Sequence, residues 1–342
     1  MSEMDVVVLE VKAVEELALK SAGETATGYV NAPLALPLPS TVAGALAAAG
    51  WAVKPGCSSG RDRVGRFKSC LAALGAEVYA LRGPFFRAGD DVYTWVWPGE
   101  LLRLDVGLLR EWYEAQSRGC SPGKRAVQAL CGGDEECAER YRGALRRISY
   151  AQRTSARLVR GLKVVDEGAG ALFKVPHVSY GEGRILVEVF GKGFPERLAA
   201  RLGGEGRVAL FAASRGGVYS MLKNLWGSNR GGDALLLLAT PLLIEYPVED
   251  YLGRIAKVLK ENGRVKDVKG RVYSAHPKVK PLLQPFQPGF DEVRGVKEPY
   301  VAALTPGAVL HAEVSDWEKV YMEGAGLYRE LGYGTLVPIP LG

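Results

Sequence analysis

Residues 194 to 211 of this chain read FPERLAARLGGEGRVALF. Apolar side chains recur every four residues at Phe194, Leu198 and Leu202, and this spacing predicts one face of a helix. The glycines that follow supply the backbone angles found where helices end; they are Gly203, Gly204 and Gly206. The residues from 208 to 211 are again mostly apolar and are typical of a short strand. The stretch therefore predicts a helix, a glycine loop and a strand, in that order.

A second copy of this pattern closes the sequence. Residues 317 to 340 read WEKVYMEGAGLYRELGYGTLVPIP. They predict a helical segment, a glycine loop at Gly332 and Gly334, and an extended tail. A chain of 342 residues is long enough for about two domains, each with its own core. The two copies therefore indicate two domains of similar design.

The remaining segments complete both units. They predict a first strand at 6–11, a helix at 42–49, a strand pair at 76–86 and 91–98, a strand at 234–244 and a helix at 248–263. The order strand, helix, strand, strand, helix, strand then occurs twice, which predicts an α+β fold of tandem ferredoxin-like (RRM-like) domains. We place the first domain at residues 1–225, with a helical insertion at about 101–160, and the second at 226–342. A linker at 214–233 lies at this boundary.

The first predicted helix is a candidate anion site. Ser40 or Thr41 can cap it, and no acidic residue follows in its first turn. The free N–H groups at such a helix start can bind a phosphate, although an ordinary capped helix is the alternative. Gly44 lies inside this helix, where glycine costs about 1 kcal/mol relative to alanine. Its presence predicts the close approach of another backbone.

Basic residues add a second, weaker indication. Lysine and arginine number 44 against 38 acids, a net charge of +6, which mildly favours a polyanionic partner. Residues 54 to 69 predict a glycine-rich basic loop with Arg61, Arg63 and Arg66, and they lack the GxxxxGK[ST] pattern of a P-loop. The insertion at 101–160 is also rich in arginine. Two interpretations of it stay open, a contact with nucleic acid and a solvated surface.

Two motifs argue against other chemistry. The sequence Gly132-Gly133-Asp134-Glu135 looks like the metal-binding turn of nucleotide cyclases, but its flanks are helical in character, which predicts a helix–helix turn. The five cysteines and three histidines do not have the spacing of a zinc or redox site, so we expect free thiols, no metal and no cofactor. No apolar run reaches the roughly 20 residues of a membrane helix, and acids occupy the N-terminus where a signal peptide has lysines. We therefore expect a cytoplasmic protein with no membrane partner.

Four segments together resemble a known family. They are PLPSTVAGAL at 37–46, LRGPFF with the following WP at 81–98, RLGGEGRVALF at 201–211, and LTPGAVLHAEV at 304–314 with the closing GYGTLVPIP. A glycine-rich loop before the last strand of a ferredoxin-like domain is typical of the RAMP superfamily of CRISPR proteins. The four segments in this order resemble, more narrowly, the subunit-three family of the type III-B Cmr complex.

The resemblance implies a non-catalytic RNA-binding subunit of an antiviral ribonucleoprotein. Such a subunit holds the repeat-derived 5′ tag of the guide RNA and contacts the large polymerase-like Cmr subunit and a backbone Cmr subunit. The alternative is a RAMP-class endoribonuclease that processes CRISPR precursor RNA. That reaction needs an acid and a base, often histidine. Because His177, His276 and His311 lie outside the first helix and the glycine loops, we expect no enzymatic activity.

The expected RNA contacts combine the helix start, the basic loop and the glycine segments. They are Ser40, Thr41, Gly44, Arg61, Arg63, Arg66, Gly203, Gly204, Gly206, Arg207, Arg215, Gly332 and Gly334. In a βαββαβ domain the first helix starts beside the last strand. We therefore expect Ser40 and Thr41 to face Gly203 to Arg207 across one groove, with Arg207 offering a forked cation to a phosphate.

Overall fold

The computed structural model describes residues 5–19, 34–57, 62–96, 99–123, 125–156, 172–203, 207–245, 249–291 and 296–341. Up to residue 226 its elements are β1 (Asp5–Ala13), β2 (Leu17–Ala18), α1 (Pro39–Val53), α2 (Arg63–Ala72), β3 (Glu77–Ala88), β4 (Asp91–Val96), β5 (Glu100–Arg103), α3 (Val106–Ser117), α4 (Ala126–Cys131), α5 (Glu135–Gly143), β6 (Leu145–Arg147), β7 (Ser149–Ala156), β8 (Leu172–Ser179), β9 (Arg184–Lys192), β10 (Arg197–Arg201), β11 (Val208–Ser214) and α6 (Val218–Trp226). Then follow β12 (Gly232–Leu238), β13 (Leu242–Ile244), α7 (Tyr251–Lys260), β14 (Val265–Ser274), β15 (Leu283–Phe286), β16 (Phe290–Asp291), β17 (Val296–Lys297), β18 (Val301–Leu304), β19 (Ala308–Val314), α8 (Trp317–Glu323), a 3₁₀ turn (Arg329–Leu331) and β20 (Leu336–Pro340).

The second half has the predicted ferredoxin-like topology. Its main sheet runs in the order β14-β19-β12-β20, and its elements follow the chain as β12, α7, β14, β19, α8 and β20. This is the strand order of a βαββαβ unit, in which the first and third strands are central. Strand β12 is buried on both faces, from Ala234 to Leu238, because it lies between two neighbours in the middle of the core. The α+β fold class is confirmed.

The first half has the same arrangement of four strands as the second half, but its helices differ. Strands β11, β1, β9 and β3 are neighbours in that order within an eight-stranded antiparallel sheet, and β10 forms the edge beside β11. The helix predicted for residues 194–202 is wrong, because Arg197–Arg201 form β10 and pair with β11. Leu198, Ala200 and Leu202 also lie two residues apart. That alternation directs them toward the α1 side of the sheet while the arginines face solvent.

The two halves share a hydrophobic core. Leu186 and Phe190 of β9 face the same cluster as Leu222 of α6 and Tyr321 of α8. Helix α6, which lies within the predicted linker, begins against the fully buried Glu188: the Tyr219 backbone N–H donates to its carboxylate at 2.9 Å, and the Tyr321 hydroxyl also donates to it. The predicted domain boundary at residue 225 is therefore crossed by continuous packing.

The insertion is built into the protein. Helix α3 buries Leu108, Leu109 and Trp112, and the Gln116 amide exchanges hydrogen bonds of 2.8 and 3.0 Å with the backbone of Ser274 in β14. The helix–helix turn predicted at Gly132 to Glu135 is confirmed. It joins α4 to α5, with Gly132 left-handed at φ 59° and Asp134 accepting from the first N–H groups of α5.

Arginines of the insertion are engaged within the protein. The pairs are Arg140 with Glu111, Arg142 with Glu135 and Glu139, Arg147 with Glu100, and Arg146 over the Phe86 ring. These contacts favour the solvated-surface interpretation for these four side chains. Arg157 and Arg160 lie outside the described residues.

Four of the five cysteines form disulfides, so the expectation of free thiols is wrong for them. Cys57 bonds Cys70, and Cys131 bonds Cys137, leaving Cys120 as a half-buried thiol. The first pair forms because α1 and α2 cross closely: a Cβ added at Gly50 would lie 1.9 Å from the Cys70 carbonyl oxygen. The second pair closes the α4–α5 turn. Among the described residues, no helix is both long and apolar enough to cross a membrane.

Candidate nucleic-acid interface

The first turn of α1 meets the C-terminal glycine segment. The buried Ser40 hydroxyl donates to the Pro288 carbonyl oxygen at 2.6 Å and lies 2.9 Å from the Tyr333 hydroxyl. Tyr333 also donates to Pro288, at 2.9 Å, and has no exposed surface. Burial raises the pKa of Tyr333 to about 12, so its hydroxyl stays protonated at neutral pH. Residues 40, 288 and 333 therefore form one closed polar contact between the two halves of the chain.

The helix start differs from the prediction. Helix α1 begins at Pro39 and continues to Val53, and the cap residue is Leu38, which makes no side-chain cap bond. Proline suits the first helical position because its ring presets φ and it has no N–H to satisfy. Ser40 therefore lies inside the first turn and bonds across to Pro288 and Tyr333 instead of capping. The helix start is covered by protein at this point.

Arg63 stands beside this contact and remains partly open to solvent. Asp62 caps α2 by accepting from the Gly65 N–H at 2.8 Å, so the predicted basic loop becomes a helix from Arg63 onward. The Arg63 guanidinium lies 5.8 Å from the centre of the Tyr328 ring and 3.7 Å from the Glu298 carboxylate, with 17% of the side chain exposed. Such a cation over an aromatic ring suits a phosphate and a stacked base.

The backbone at Gly289 and Tyr328 forms the immediate surroundings of Arg63 and Ser40. A Cβ added at Gly289 would lie 3.3 Å from both the Arg63 guanidinium and the Ser40 hydroxyl oxygen. Tyr328 has φ 55°, which is uncommon for a residue other than glycine, and this angle presents its half-buried ring to Arg63. We call Ser40, Arg63, Gly289, Tyr328 and Tyr333 the arginine–tyrosine site.

The C-terminal glycines Gly332 and Gly334 pack closely against the protein's own backbone. A Cβ at Gly332, where φ is 100°, would lie 2.9 Å from the Gly83 carbonyl oxygen, and one at Gly334 would lie 1.9 Å from that of Ala325. Both glycines are buried. Their function in the fold is to let the segment pack against β3 and its own preceding turn.

Arg82 holds this segment in place. Its guanidinium is fully buried and donates to the carbonyl oxygens of Leu81, Tyr321, Met322 and Arg329, with distances of 2.5 Å to Tyr321 and 2.7 Å to Arg329. Burial lowers its pKa from 12.5 to about 10, so it remains charged at neutral pH. A basic side chain at the end of α8 satisfies carbonyls that the helix leaves free.

The remaining predicted residues lie elsewhere. Gly203 approaches Ala18, with an added Cβ 2.9 Å from its carbonyl oxygen, and Arg207 pairs with Glu15. Arg215 is exposed after β11. The groove expected between Ser40 and residues 203–207 stays a prediction: the Ser40 hydroxyl bonds to Pro288 and Tyr333, and residues 204–206 lie outside the described residues.

Six further predicted residues complete the set. Thr41 is half-buried in α1, and Arg66 is buried one turn after Arg63. Gly44 is exposed and has nothing within 4 Å of an added Cβ, so the expected close backbone approach is wrong there and occurs at Gly50. Arg61, Gly204 and Gly206 lie outside the described residues.

The structure thus brings Ser40 and Arg63 together beside Gly289, and Gly332 packs beside Pro39, the residue before Ser40. Sequence reasoning missed Arg82, Tyr328 and Tyr333. Two of these had a readable signal: Tyr333 lies between two glycines, and Arg82 precedes the Gly-Pro pair of LRGPFF. Tyr328 had none, because its importance depends on a left-handed backbone angle.

Comparison with solved structures identifies the fold of nearly the whole chain. No family model matches the chain, and no curated protein matches it. A chain in the cryo-EM structure of the type III-B Cmr-beta bound to cognate target RNA and AMPPnP matches with a TM-score of 0.57 and 16% identity, covering 96% of this chain and 95% of that one. The same assembly bound to cognate target RNA gives the same score and identity, with 96% of both chains covered.

A third match is more distant. A chain from the characterization of a Cas6-related gene from Pyrococcus furiosus has 9% identity and a TM-score of 0.38, which is too low to assign a fold. The two Cmr-beta matches are high enough for that purpose, and they agree with the resemblance carried by the four sequence segments. The chain therefore shares its fold with a component of the type III-B Cmr-beta assembly.

Proposed function

We propose that this protein is a non-catalytic RNA-binding subunit of a CRISPR ribonucleoprotein effector in antiviral defence. The observation that carries the proposal is the fold, which matches over 96% of the chain a component of a Cmr-beta structure that contains target RNA. The net charge of +6 suits a polyanionic partner. The subunit would hold the repeat-derived 5′ tag of the guide RNA and join the large polymerase-like Cmr subunit to a backbone Cmr subunit.

The arginine–tyrosine site is the proposed point of RNA contact. Arg63 is partly exposed, offers a planar fork of donors to a phosphate, and lies over the Tyr328 ring. Tyr333 and Ser40 are enclosed behind it, so they support the position of this site and Arg63 makes the contact. The site includes both halves of the chain, and RNA binding there would depend on their packing.

The surroundings of the histidines support binding over cleavage. The His276 Nδ1 atom accepts from the N–H groups of Lys278 and Val279, and its Nε2 atom lies 2.6 Å from Glu100. A ring engaged at both nitrogens is not free to exchange a proton with an RNA hydroxyl. The His311 Nδ1 atom lies 2.9 Å from the Tyr113 hydroxyl, and His177 is buried in β8. These positions favour the binding subunit over the endoribonuclease.

Gel retardation of a repeat-derived RNA tests the proposal. Arg63→Met should weaken binding about tenfold to a hundredfold, since a lost hydrogen bond to a charged group is worth about 1.5–3 kcal/mol. Arg142→Met is the matched control, because Arg142 is exposed on α5 and pairs only with neighbouring acids among the described residues. Affinity should also fall with salt, with a slope of about −0.7 per phosphate contacted.

Two outcomes would contradict it. Equal affinity in the two variants would remove the RNA contact from the arginine–tyrosine site. Cutting of the repeat RNA by the wild-type protein, lost when His177, His276 and His311 are all replaced by alanine, would establish the endoribonuclease instead.

A further inference from the structure

One face of the sheet is open at the edge formed by β1, β11 and β10. Strand pairing places nine side chains on it in three rows across the strands: Glu10, Ala212 and Arg197; Lys12, Leu210 and Ala199; Val14, Val208 and Arg201. Side chains at paired positions point to the same side of a sheet, so these nine form one continuous surface. We call it the β10 face.

The second and third rows of the β10 face carry exposed aliphatic side chains. Val14, Val208 and Leu210 expose 58%, 44% and 46% of their surfaces, although the alternate residues Ala209 and Phe211 of the same strand are buried. Strand β11 is therefore apolar on both sides, while only one side contributes to the folded core. A contiguous exposed apolar group of this kind indicates a surface that is covered in an assembly.

The rim of the β10 face is cationic. Arg197, Arg201 and Lys12 are exposed, and no acidic side chain of the described residues pairs with any of them. Glu10, the one acid of the nine, already pairs with Arg87 at 2.7 Å. Arg197 and Arg201 lie four residues apart on one strand, a separation of roughly 13 Å. The face therefore fits a partner with two carboxylates at about that spacing and an apolar residue between them.

The main chain at this edge is also open. Strand β10 pairs with β11 and with no other strand in the described part of the chain. An edge strand presents alternate N–H and C=O groups that can bond an additional strand. With its five residues, β10 is long enough to align such a strand in one register.

The side chains decide the class of the partner. Nucleic acid on an open sheet face is held by aromatic side chains that stack on bases, and none of the nine residues is aromatic. Exposed aliphatic groups with a cationic rim instead match an acidic protein segment. A strand added to an edge uses main-chain bonds for affinity and alternate side chains for specificity.

We propose that the β10 face binds an extended acidic segment of a partner protein. This segment pairs with β10 as an additional strand, places carboxylates opposite Arg197 and Arg201, and places an apolar residue opposite Ala199. The inference rests on the proposed function, because the partner is another protein subunit of the same ribonucleoprotein.

A charge-reversed double variant tests this surface. Arg197→Glu with Arg201→Glu is compared with Lys257→Glu and Lys260→Glu, an equal change of charge at two exposed lysines of α7. Each protein is co-expressed with the other subunits and guide RNA, and its incorporation into the complex is measured. We expect the β10 variant to incorporate about tenfold less than the α7 control, with an unchanged melting temperature, since reversed charges at an interface oppose association. Hydrogen exchange at β10 should slow when the wild-type protein assembles.

Each other result has a definite meaning. Equal incorporation of the two variants, or unchanged exchange at β10 on assembly, overturns the inference alone. A larger loss of affinity for the isolated guide RNA in the β10 variant than in the control would make the face an RNA surface and would also overturn it. If the wild-type protein neither binds guide RNA nor joins a complex, the proposed function fails first.

Discussion

Replacing Arg82 by methionine should destabilise the protein strongly. The buried guanidinium satisfies the carbonyl oxygens of Tyr321 and Met322, which lie at the C-terminal end of α8, and that of Arg329 in the following turn. Methionine preserves much of the side-chain volume but has no donor. Three carbonyls of a buried segment would then lose a hydrogen bond at once.

The size of the effect follows from two opposing contributions. Each buried carbonyl left without a donor costs about 1–3 kcal/mol. Burial lowers the pKa of Arg82 from 12.5 to about 10, so removing the charge recovers roughly 3 kcal/mol of desolvation. Breaking a buried charged contact on one side is usually destabilising by several kcal/mol. We therefore expect Arg82→Met to lower the free energy of unfolding by about 3 kcal/mol, and Arg82→Lys by about half as much.

Urea unfolding measures this, and the same strand provides a control. Arg87→Met makes the identical change five residues along β3, where the side chain is partly exposed and pairs with Glu10 at 2.7 Å. A partly exposed ion pair contributes about 1 kcal/mol or less. If the Arg82 and Arg87 variants unfold within about 0.5 kcal/mol of each other, the carbonyl contacts of Arg82 do not stabilise the fold as argued.

Three further predictions concern pH and the disulfide. Burial raises the pKa of Glu188 from 4.5 to about 7, so the stability that this group supplies is complete below pH 4.5 and declines by about 3 kcal/mol as pH rises through 7. Urea unfolding of Glu188→Gln at a series of pH values should lack this decline. A variant with the same pH profile as the wild type would contradict the prediction. Burial lowers the pKa of His276 below 6.5, so its contribution to folding stability is present above pH 6.5 and is lost as pH falls. In thermal melting, His276→Gln should lose less stability than the wild type when the pH is lowered. An identical loss in both proteins would disprove this. Replacing Cys57 and Cys70 by serine should lower the free energy of unfolding by about 3 kcal/mol. A wild-type melting temperature that does not change when reductant is added would contradict this prediction.

The C-terminal unit was predictable because its signals agree with one another. The helix beginning at Trp317 has an aspartate cap at Asp316, glycines follow it, and the tail from Leu336 to Pro340 is extended and apolar. Periodicity, capping and turn residues all indicate the same elements. The order of these elements was enough to predict the ferredoxin-like topology of the second half.

The corresponding stretch of the first half shows the limit of such reasoning. The residues RLAAR of β10 are good helix formers, and their Leu198 lies four residues from both Phe194 and Leu202, which is a helical spacing. They also fit an alternating strand, and the pairing of Arg197–Arg201 with β11 selects that alternative. Local propensity was outweighed by a strand that provides partners for the main chain and a buried position for Ala200.

Two residues of the candidate site, Ser40 and Arg63, were named from the sequence, but the arrangement of the site was not predictable. Ser40, Arg63 and Gly332 follow from a helix start, a basic segment and a glycine pair. Their meeting depends on contacts such as that between Ser40 and Tyr333, which are 293 residues apart. No local pattern specifies which distant backbone a side chain will meet.

Local sequence patterns were sufficient for the fold class, the α4–α5 turn and the glycine-rich closing segment, because spacing, caps and turn residues act over a few neighbouring positions. Long-range packing makes β10 an edge strand, directs Arg82 to carbonyl oxygens, and covers the helix start of α1 with Tyr333. These features arise from close packing, in which each element takes the conformation that satisfies the polar groups and fills the space of elements far away in the chain.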